Sequence, residues 1–404
     1  MTRIQPAQTG TTTPGPAPHL PALDGLRGVA IAGVLLFHTG YLDGGFLGVD
    51  LFFALSGYLI TDLLLREVER TGTVSLVSFW GRRIRRLLPA LSVMLASIAT
   101  LVWAFAPPET VRTTLSDGPW VQANLVNWHL LAESAGYWDR FGPERVFEHL
   151  WSIAVEEQFY LVWPLVVVAL ALLVRRIHIS VALTAVLASA ASLALMVALF
   201  NEADPSRVYT GTDTRAFSLL LGAAVATGPV KGALARIGPR PAGAAAGVLV
   251  AGLAAVWALA DGEGSPWLFK GGLAAHALAS ALLIGLCAAA GRTPVSRVLA
   301  WLPLRWLGLI SYSLYLWHWP VIALLSPERT GLEGTGWALF VCVVSIWAAV
   351  LSKYLVEDPI RFRARWARGK SGFAVFAAVM AALALLWFAL PEPPAPTIDL
   401  TDLQ

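Results

Sequence analysis

Charge is scarce in this 404-residue chain: Asp, Glu, Lys and Arg together make up 14% of it, and the formal net charge is +3. A soluble protein of two or three domains carries about 25% charged residues, so that class is excluded. Cysteine is scarcer still. Cys287 and Cys342 each lie inside a long apolar run, so neither a disulfide framework nor a thiolate zinc site is expected and both read as core filler. The basic residues fall in short clusters rather than on one continuous face, which removes nucleic acid as a partner. No His-Glu-x-x-His, Gly-x-x-x-x-Gly-Lys or Gly-x-Gly-x-x-Gly occurs, so metalloprotease, P-loop and dinucleotide readings have no motif. No tandem repeat is visible.

Apolar residues are abundant, at 57% of the chain, with 17 Trp, 35 Gly and 25 Pro. This composition predicts an all-α, polytopic transmembrane helical bundle, in which Trp anchors interfaces and Gly and Pro are tolerated inside helices. Residues 1–20 read as a disordered tail without the features of a signal peptide. Eleven apolar stretches follow, at 26–42, 46–65, 87–106, 150–174, 179–200, 214–229, 242–260, 271–290, 306–325, 336–356 and 371–390, most near the ~20 residues a spanning helix needs. With the N-terminus inside, 22 of the 29 basic residues fall on the inner side. The positive-inside rule thus predicts a cytoplasmic N-terminus and an external C-terminal tail, residues 391–404. The longest segment between spans, 107–148, is external on this reading and large enough for a lid over a site.

An ionisable residue inside a span is costly, so each is a candidate. Arg27 and His38 stand eleven residues apart in LDGLRGVAIAGVLLFH, a spacing that brings them within about 20° of one helix face and ~16 Å apart along the axis. Arg27 is expected near the cytoplasmic edge and His38 about half a bilayer deeper. Guanidinium and imidazole then mark either a polar passage, for a phosphate-bearing ligand and a hydroxyl to be deprotonated, or a snorkelling arginine and a structural histidine. GGFLGVDLFFALSGYLI puts Asp50 at the membrane edge and Ser56 and Gly57 in a small-residue patch whose simplest role is packing. Arg82, Arg83, Arg85 and Arg86 suit nucleotide phosphates or anionic lipid equally.

In FEHLWSIAVEEQFYLVWPL, positions His149, Ser152 and Glu156 share one helical stripe, with Glu157 about 100° round from it. A hydrolase triad is discounted: one stripe cannot wrap a scissile carbonyl, and no Gly-x-Ser-x-Gly surrounds Ser152. Asp213 and Arg215, at the external start of a helix, read either as a surface ion pair with each other or as holders of an acceptor sugar. Ser311, Tyr312, Tyr315 and His318 interrupt an apolar helix, with His318 either functional or the end of an aromatic belt. His19, His129, His178 and His276 read as structural or exposed.

LDGLRGVAIAGVLLFH, GGFLGVDLFFALSGYLI, FWGRRIRRLLPA, FEHLWSIAVEEQFYLVWP and SYSLYLWHWPVI, in this order over nearly the whole chain, resemble the acyltransferase-3 family of bacterial integral membrane O-acyltransferases. The family's arginine, ten residues, histidine signature falls on Arg27 and His38. Its glycine, paired-phenylalanine, Ser-Gly signature falls on Gly44, Gly45, Phe52, Phe53, Ser56 and Gly57, and its arginine cluster on Arg82, Arg83 and Arg86. The resemblance implies a ten-helix acyltransferase domain, here 21–365, in a bacterial plasma membrane. It also implies acyl transfer, usually of acetyl from cytoplasmic acyl-CoA and with no metal, to a hydroxyl of a carbohydrate or glycosylated acceptor. Some relatives add an eleventh helix leading to an external hydrolase-like domain; 366–390 matches that helix, and such a domain is expected fused or separate. On this reading the arginines hold the donor phosphates and His38 is the general base, oriented by Glu156 or Glu157, with a covalent acyl-enzyme on His38 or Tyr312 as the rival route. From another class, a secondary transporter or lipid-linked sugar flippase would also use membrane histidine and carboxylates, but lacks a detectable inverted repeat here. A structural scaffold would not need His38.

Overall fold

A computed structural model describes residues 20–138, 145–289, 293–364, 366, 367 and 369–393. The expected tail 1–20, apart from Leu20, and most of the expected tail 391–404 lie outside the described residues. The helices are α1 Pro21–His38, α2 Gly48–Thr71, α3 Leu76–Phe105, α4 Pro108–Gln122, α5 Val126–Ala132, α6 Trp151–Leu173, α7 Ile177–Leu199, α8 Ser206–Thr210 and α9 Thr212–Val225. They continue as α10 Gly228–Ala235, α11 Pro239–Leu259, α12 Gly272–Ala289, α13 Pro294–Leu299, α14 Leu302–Leu324, α15 Pro327–Thr330, α16 Gly334–Leu351 and α17 Gly369–Ala389. No strand occurs among the described residues. Ten helices there are long and apolar enough to cross a membrane, eleven when the bent pair α9 and α10 counts as one span. This is a multi-pass membrane protein.

Two close crossings set the frame. In α1 and α14, Gly28 and Gly308 face one another: a methyl group at either would overlap the backbone of the other helix, at the Leu304 or the Asp24 carbonyl. In α2 and α9, Gly57 meets the Leu219 carbonyl and Gly222 meets that of Ala54. Lipid offers no hydrophobic push between helices, so glycine, by letting backbones touch, is what allows this packing. Gly57 is therefore a packing residue.

Three spans differ from their expected form. α1 begins at Pro21 and ends at His38, where Gly40 takes a φ of +78° and turns the chain. Arg27 therefore lies two turns inside α1 and His38 is its last residue. α3 starts at Leu76, so the arginine cluster is part of the spanning helix itself. The sixth stretch is broken: α9 and α10 meet at 62°, since Pro229 follows Gly228 and cannot donate the next helical bond.

Candidate active site

At the α9 end of the bundle, Arg215 and Asp50 are both fully buried and paired at 2.9 Å, and Ser218 Oγ donates to the other Asp50 oxygen at 2.8 Å. The Arg215 guanidinium lies 4.8 Å from the Tyr209 ring centre. Asp213 instead receives both guanidinium nitrogens of Arg207, at 3.0 and 2.7 Å. The expected Asp213–Arg215 pair does not form. Two positions on a helix are about 200° apart, so one side chain faces the core and the other the rim. The buried Asp50–Arg215 pair locks α2 to α9 rather than presenting a surface for a sugar.

Between α1, α2, α3, α6 and α14 lies a cavity open to the surface, lined by Arg27, Arg83 and Arg86 at one end and by Ser152 and Tyr315 among its other walls. Arg83 stacks over the Tyr160 ring at 4.6 Å, and Arg86 Nε is buried without a protein partner. Arg82 does not line the cavity; it bonds Glu67 at 3.3 Å. Glu156, on the same wall, accepts from the Ser56 hydroxyl and from Tyr160 Oη, the latter at 2.6 Å. Ser56 is thus the site member of the Ser-Gly pair. Tyr312 lines the cavity with its hydroxyl donated to the Leu87 carbonyl at 2.8 Å, which ties α14 to α3.

Ser152 and Tyr315 hydroxyls bond each other at 2.6 Å, and both reach the His149 carbonyl, at 3.3 and 2.9 Å. Behind this pair stand three histidines. His318 and His38 bond at 3.2 Å (Nε2 to Nδ1), and the His149 ring centre is 5.3 Å from that of His318. The His318 Nδ1 lies 2.8 Å from the Tyr315 carbonyl, which can only accept. With both rings neutral, His318 Nδ1 therefore carries the proton, its Nε2 accepts, and His38 Nδ1 donates. On that assignment His38 Nε2 carries a lone pair, and the His38 ring also bonds the Val34 carbonyl one turn back. His38 is half-buried, its ring 4.8 Å from that of Trp319. His149 Nε2 points at the Leu316 carbonyl at 3.3 Å, and its Nδ1 has no partner among the described residues.

The carboxylate expected beside His38 is not there; the partner is His318. His149 lies in a 3-10 turn, Glu148–Leu150, ahead of α6, so of the expected stripe only Ser152 and Glu156, four residues apart on α6, both line the cavity. Glu156 meets Ser56 and Tyr160, and Glu157 lies in the electrostatic field of Arg83 and Arg86. Tyr160, one turn after Glu156, and Trp319 beside His318 are site residues that the sequence reading passed over; their positions next to motif residues were the available signal. So was a polar cluster in the 107–148 segment. There Arg145 bridges Asp117 at 2.5 Å and Glu133 at 2.6 Å, and His129 approaches Asp117 at 3.2 Å. Those three potential metal ligands already hold an arginine. The Arg145 carbonyl receives the Trp319 indole at 2.9 Å, linking the cluster to the wall beside His38.

The class is a helical membrane bundle with an arginine-lined cavity and, behind its Ser152–Tyr315 wall, a histidine cluster. A family model described as an acyltransferase domain matches residues 20–354, and the chain belongs to that family. It is 34% identical to the peptidoglycan O-acetyltransferase OatA of Listeria monocytogenes over 85% of this chain and 56% of the relative. A putative peptidoglycan O-acetyltransferase, YrhL of Bacillus subtilis, is 36% identical over 85% of this chain and 55% of its own. The O-acetyltransferase OatA of Staphylococcus aureus is 34% identical, over 89% and 58% respectively. The chain thus spans a little over half the length of these curated relatives. No solved structure gives a significant match.

Proposed function

We propose that this chain transfers an acyl group, acetyl by analogy with its relatives' names, from acyl-CoA to a hydroxyl of a cell-envelope carbohydrate. Peptidoglycan is the first acceptor to try. The observation that carries this reading is the cavity itself, with arginines at one end and the Ser152–Tyr315 pair, backed by His38, His149 and His318, deeper in. The side chains fit such a donor: Arg27, Arg83 and Arg86 bring three guanidiniums together, and the orphaned Arg86 Nε needs an acceptor that phosphate would supply. The arginine end faces the cytoplasm on the positive-inside rule, and the half-buried His38 faces out.

His38 Nε2 is the base in this mechanism. It removes the acceptor hydroxyl proton as that oxygen bonds the acyl carbon and the carbon–sulfur bond breaks, and it returns the proton to the departing thiolate. His318 holds the ring in the reactive tautomer. The Ser152–Tyr315 pair standing between cavity and histidines favours a second route, in which one of these hydroxyls takes the acyl group first and passes it to the acceptor. Tyr312, committed to the Leu87 carbonyl, is less suited to that part. A fused or separate external hydrolase-like domain would complete transfer on this reading.

The test is thiol release from acetyl-CoA by detergent-purified protein, with and without peptidoglycan fragments. Release should need the fragments, and His38→Ala should lower it by about 10²- to 10⁴-fold, the contribution of a placed base. A variant keeping more than half the rate would end the assignment. Labelled acetyl-CoA without acceptor, followed by mass spectrometry of the protein, separates the two routes.

A further inference from the structure

The arginines at 82–86 leave α3 in different directions. Each residue of a helix turns by about 100°, so Arg85 stands about 100° from Arg86 and about 200° from Arg83, the two of this cluster that line the cavity. Arg85 lines a second groove instead, between α3, α17 and the π-helical turns that continue α16 over Ser352–Glu357 and Pro359–Arg363. Its walls are apolar, with Leu88, Val93, Ile360, Val375 and Phe376 among them; only Arg85, Ser92 and Trp366 bring a side-chain donor. The groove follows from how α17 is fastened. Farther along α17, Gln122 of α4 donates to the Met380 carbonyl at 2.8 Å and accepts from the Trp387 indole at 2.8 Å. Residues 372–379 have no polar side chain to do the same, and it is they that border the groove.

Both α3 and α17 are long and apolar enough to cross a membrane, so the groove opens between two spans, where hydrocarbon rather than water fills an apolar gap. A hydrocarbon chain alone leaves two groups unsatisfied. Arg85 is half-buried, makes no ion pair among the described residues and has one long hydrogen bond, 3.5 Å to the Ala367 carbonyl, for its five donors. Ser92 Oγ, two turns further along α3, is buried without a partner among the described residues. A glycerophospholipid answers all three demands: tails for the walls, an ester carbonyl for Ser92 and a phosphate for Arg85. An anionic headgroup suits the arginine best, because a zwitterionic one sets a cation beside it. We infer that this groove is a binding site for one anionic glycerophospholipid, with its phosphate on Arg85 and an acyl chain between α3 and α17. The lipid then staples α17 to the helix that carries the cavity arginines. The inference stands independently of the acyl-CoA reading.

Native mass spectrometry of the detergent-purified chain, titrated with phosphatidylglycerol or phosphatidylcholine of the same chain length, tests it. Wild type should bind its first phosphatidylglycerol about ten- to a hundredfold more tightly than its first phosphatidylcholine, the range for hydrogen bonds to a charged group. Arg85→Gln should remove that preference and Arg85→Lys restore part of it. Arg176→Gln, at an exposed arginine ahead of α7, should leave it unchanged. Val375→Trp, which fills the groove, should weaken both lipids. Absence of the preference in wild type, its survival in Arg85→Gln, or equal loss in Arg176→Gln overturns the inference. So does unchanged binding in Val375→Trp, which would put the lipid elsewhere.

Discussion

Asp117 is fully buried in α4 and shares the Arg145 guanidinium with Glu133. Burial pushes its carboxyl up from the ordinary 3.8 to about 7, against the pull of Arg145. The Arg145 hydrogen bond holds Glu133 below its usual range, and burial lowers His129. The fold thus binds the Asp117 proton more tightly than the unfolded chain does. Its stabilising contribution is complete below about pH 4 and is lost as the pH rises through about 7. Melting temperatures of wild type and Asp117→Asn at pH 4.5 and 7.5 check this: the wild-type advantage should shrink at the higher pH, and a constant or widening gap would refute it. None of this was legible from residues 117, 129, 133 and 145, because their meeting depends on how α4 folds back beside α5. By contrast, the divergence of Asp213 and Arg215 was implicit in their spacing. Arg27, Ser152, Glu156 and His318 stood out in the sequence as polar positions in apolar helices, whereas their partners, lying up to 280 positions away, did not.

Glycine at a helix crossing acts on whole elements. Gly57→Ala would drive a methyl group into the Leu219 carbonyl, where the obstacle is backbone and cannot swing aside. Separating α2 from α9 should cost about 1–3 kcal/mol, the usual range for overpacking, and strain the Asp50–Arg215 lock. The readout is a lower melting temperature in detergent, with Gly232→Ala, where a methyl group meets nothing within 4 Å, as the control. Equal stability of the two variants would show that the crossing has slack. Hydropathy located all eleven stretches, since bilayer thickness fixes their length. It could not reveal that α3 begins eleven residues early, at Leu76, because those turns carry arginines. Nor could it reveal the π-helical turns that continue α16 over Ser352–Glu357 and Pro359–Arg363.

For the whole molecule, the lopsided distribution of basic residues predicts the orientation that the proposed mechanism assumes. In a cysteine-free background made by Cys287→Ala and Cys342→Ala, Val77→Cys and Tyr41→Cys place thiols at exposed sites on opposite ends of the bundle. A membrane-impermeant maleimide added to intact cells should label position 41 and spare position 77; the reverse pattern would invert the proposed sides. The sequence made the bundle and its two polar ends readable, but not the barrier between them, built from α6 and α14, whose partners are 163 positions apart. That barrier has an electrical meaning. Voltage across a membrane falls over whatever stays dry, so water in the arginine cavity would concentrate it on one hydroxyl pair and a layer of imidazole. A charge crossing there involves ~2.3 kcal/mol per 100 mV. If His38 hands its proton back to the departing thiolate, an acyl group moves one way and a proton the other, and the exchange is electroneutral. Were the proton released to the outer side instead, each turnover would carry one charge out against an inside-negative potential. The return of a single proton therefore decides whether the enzyme senses the energy state of the cell.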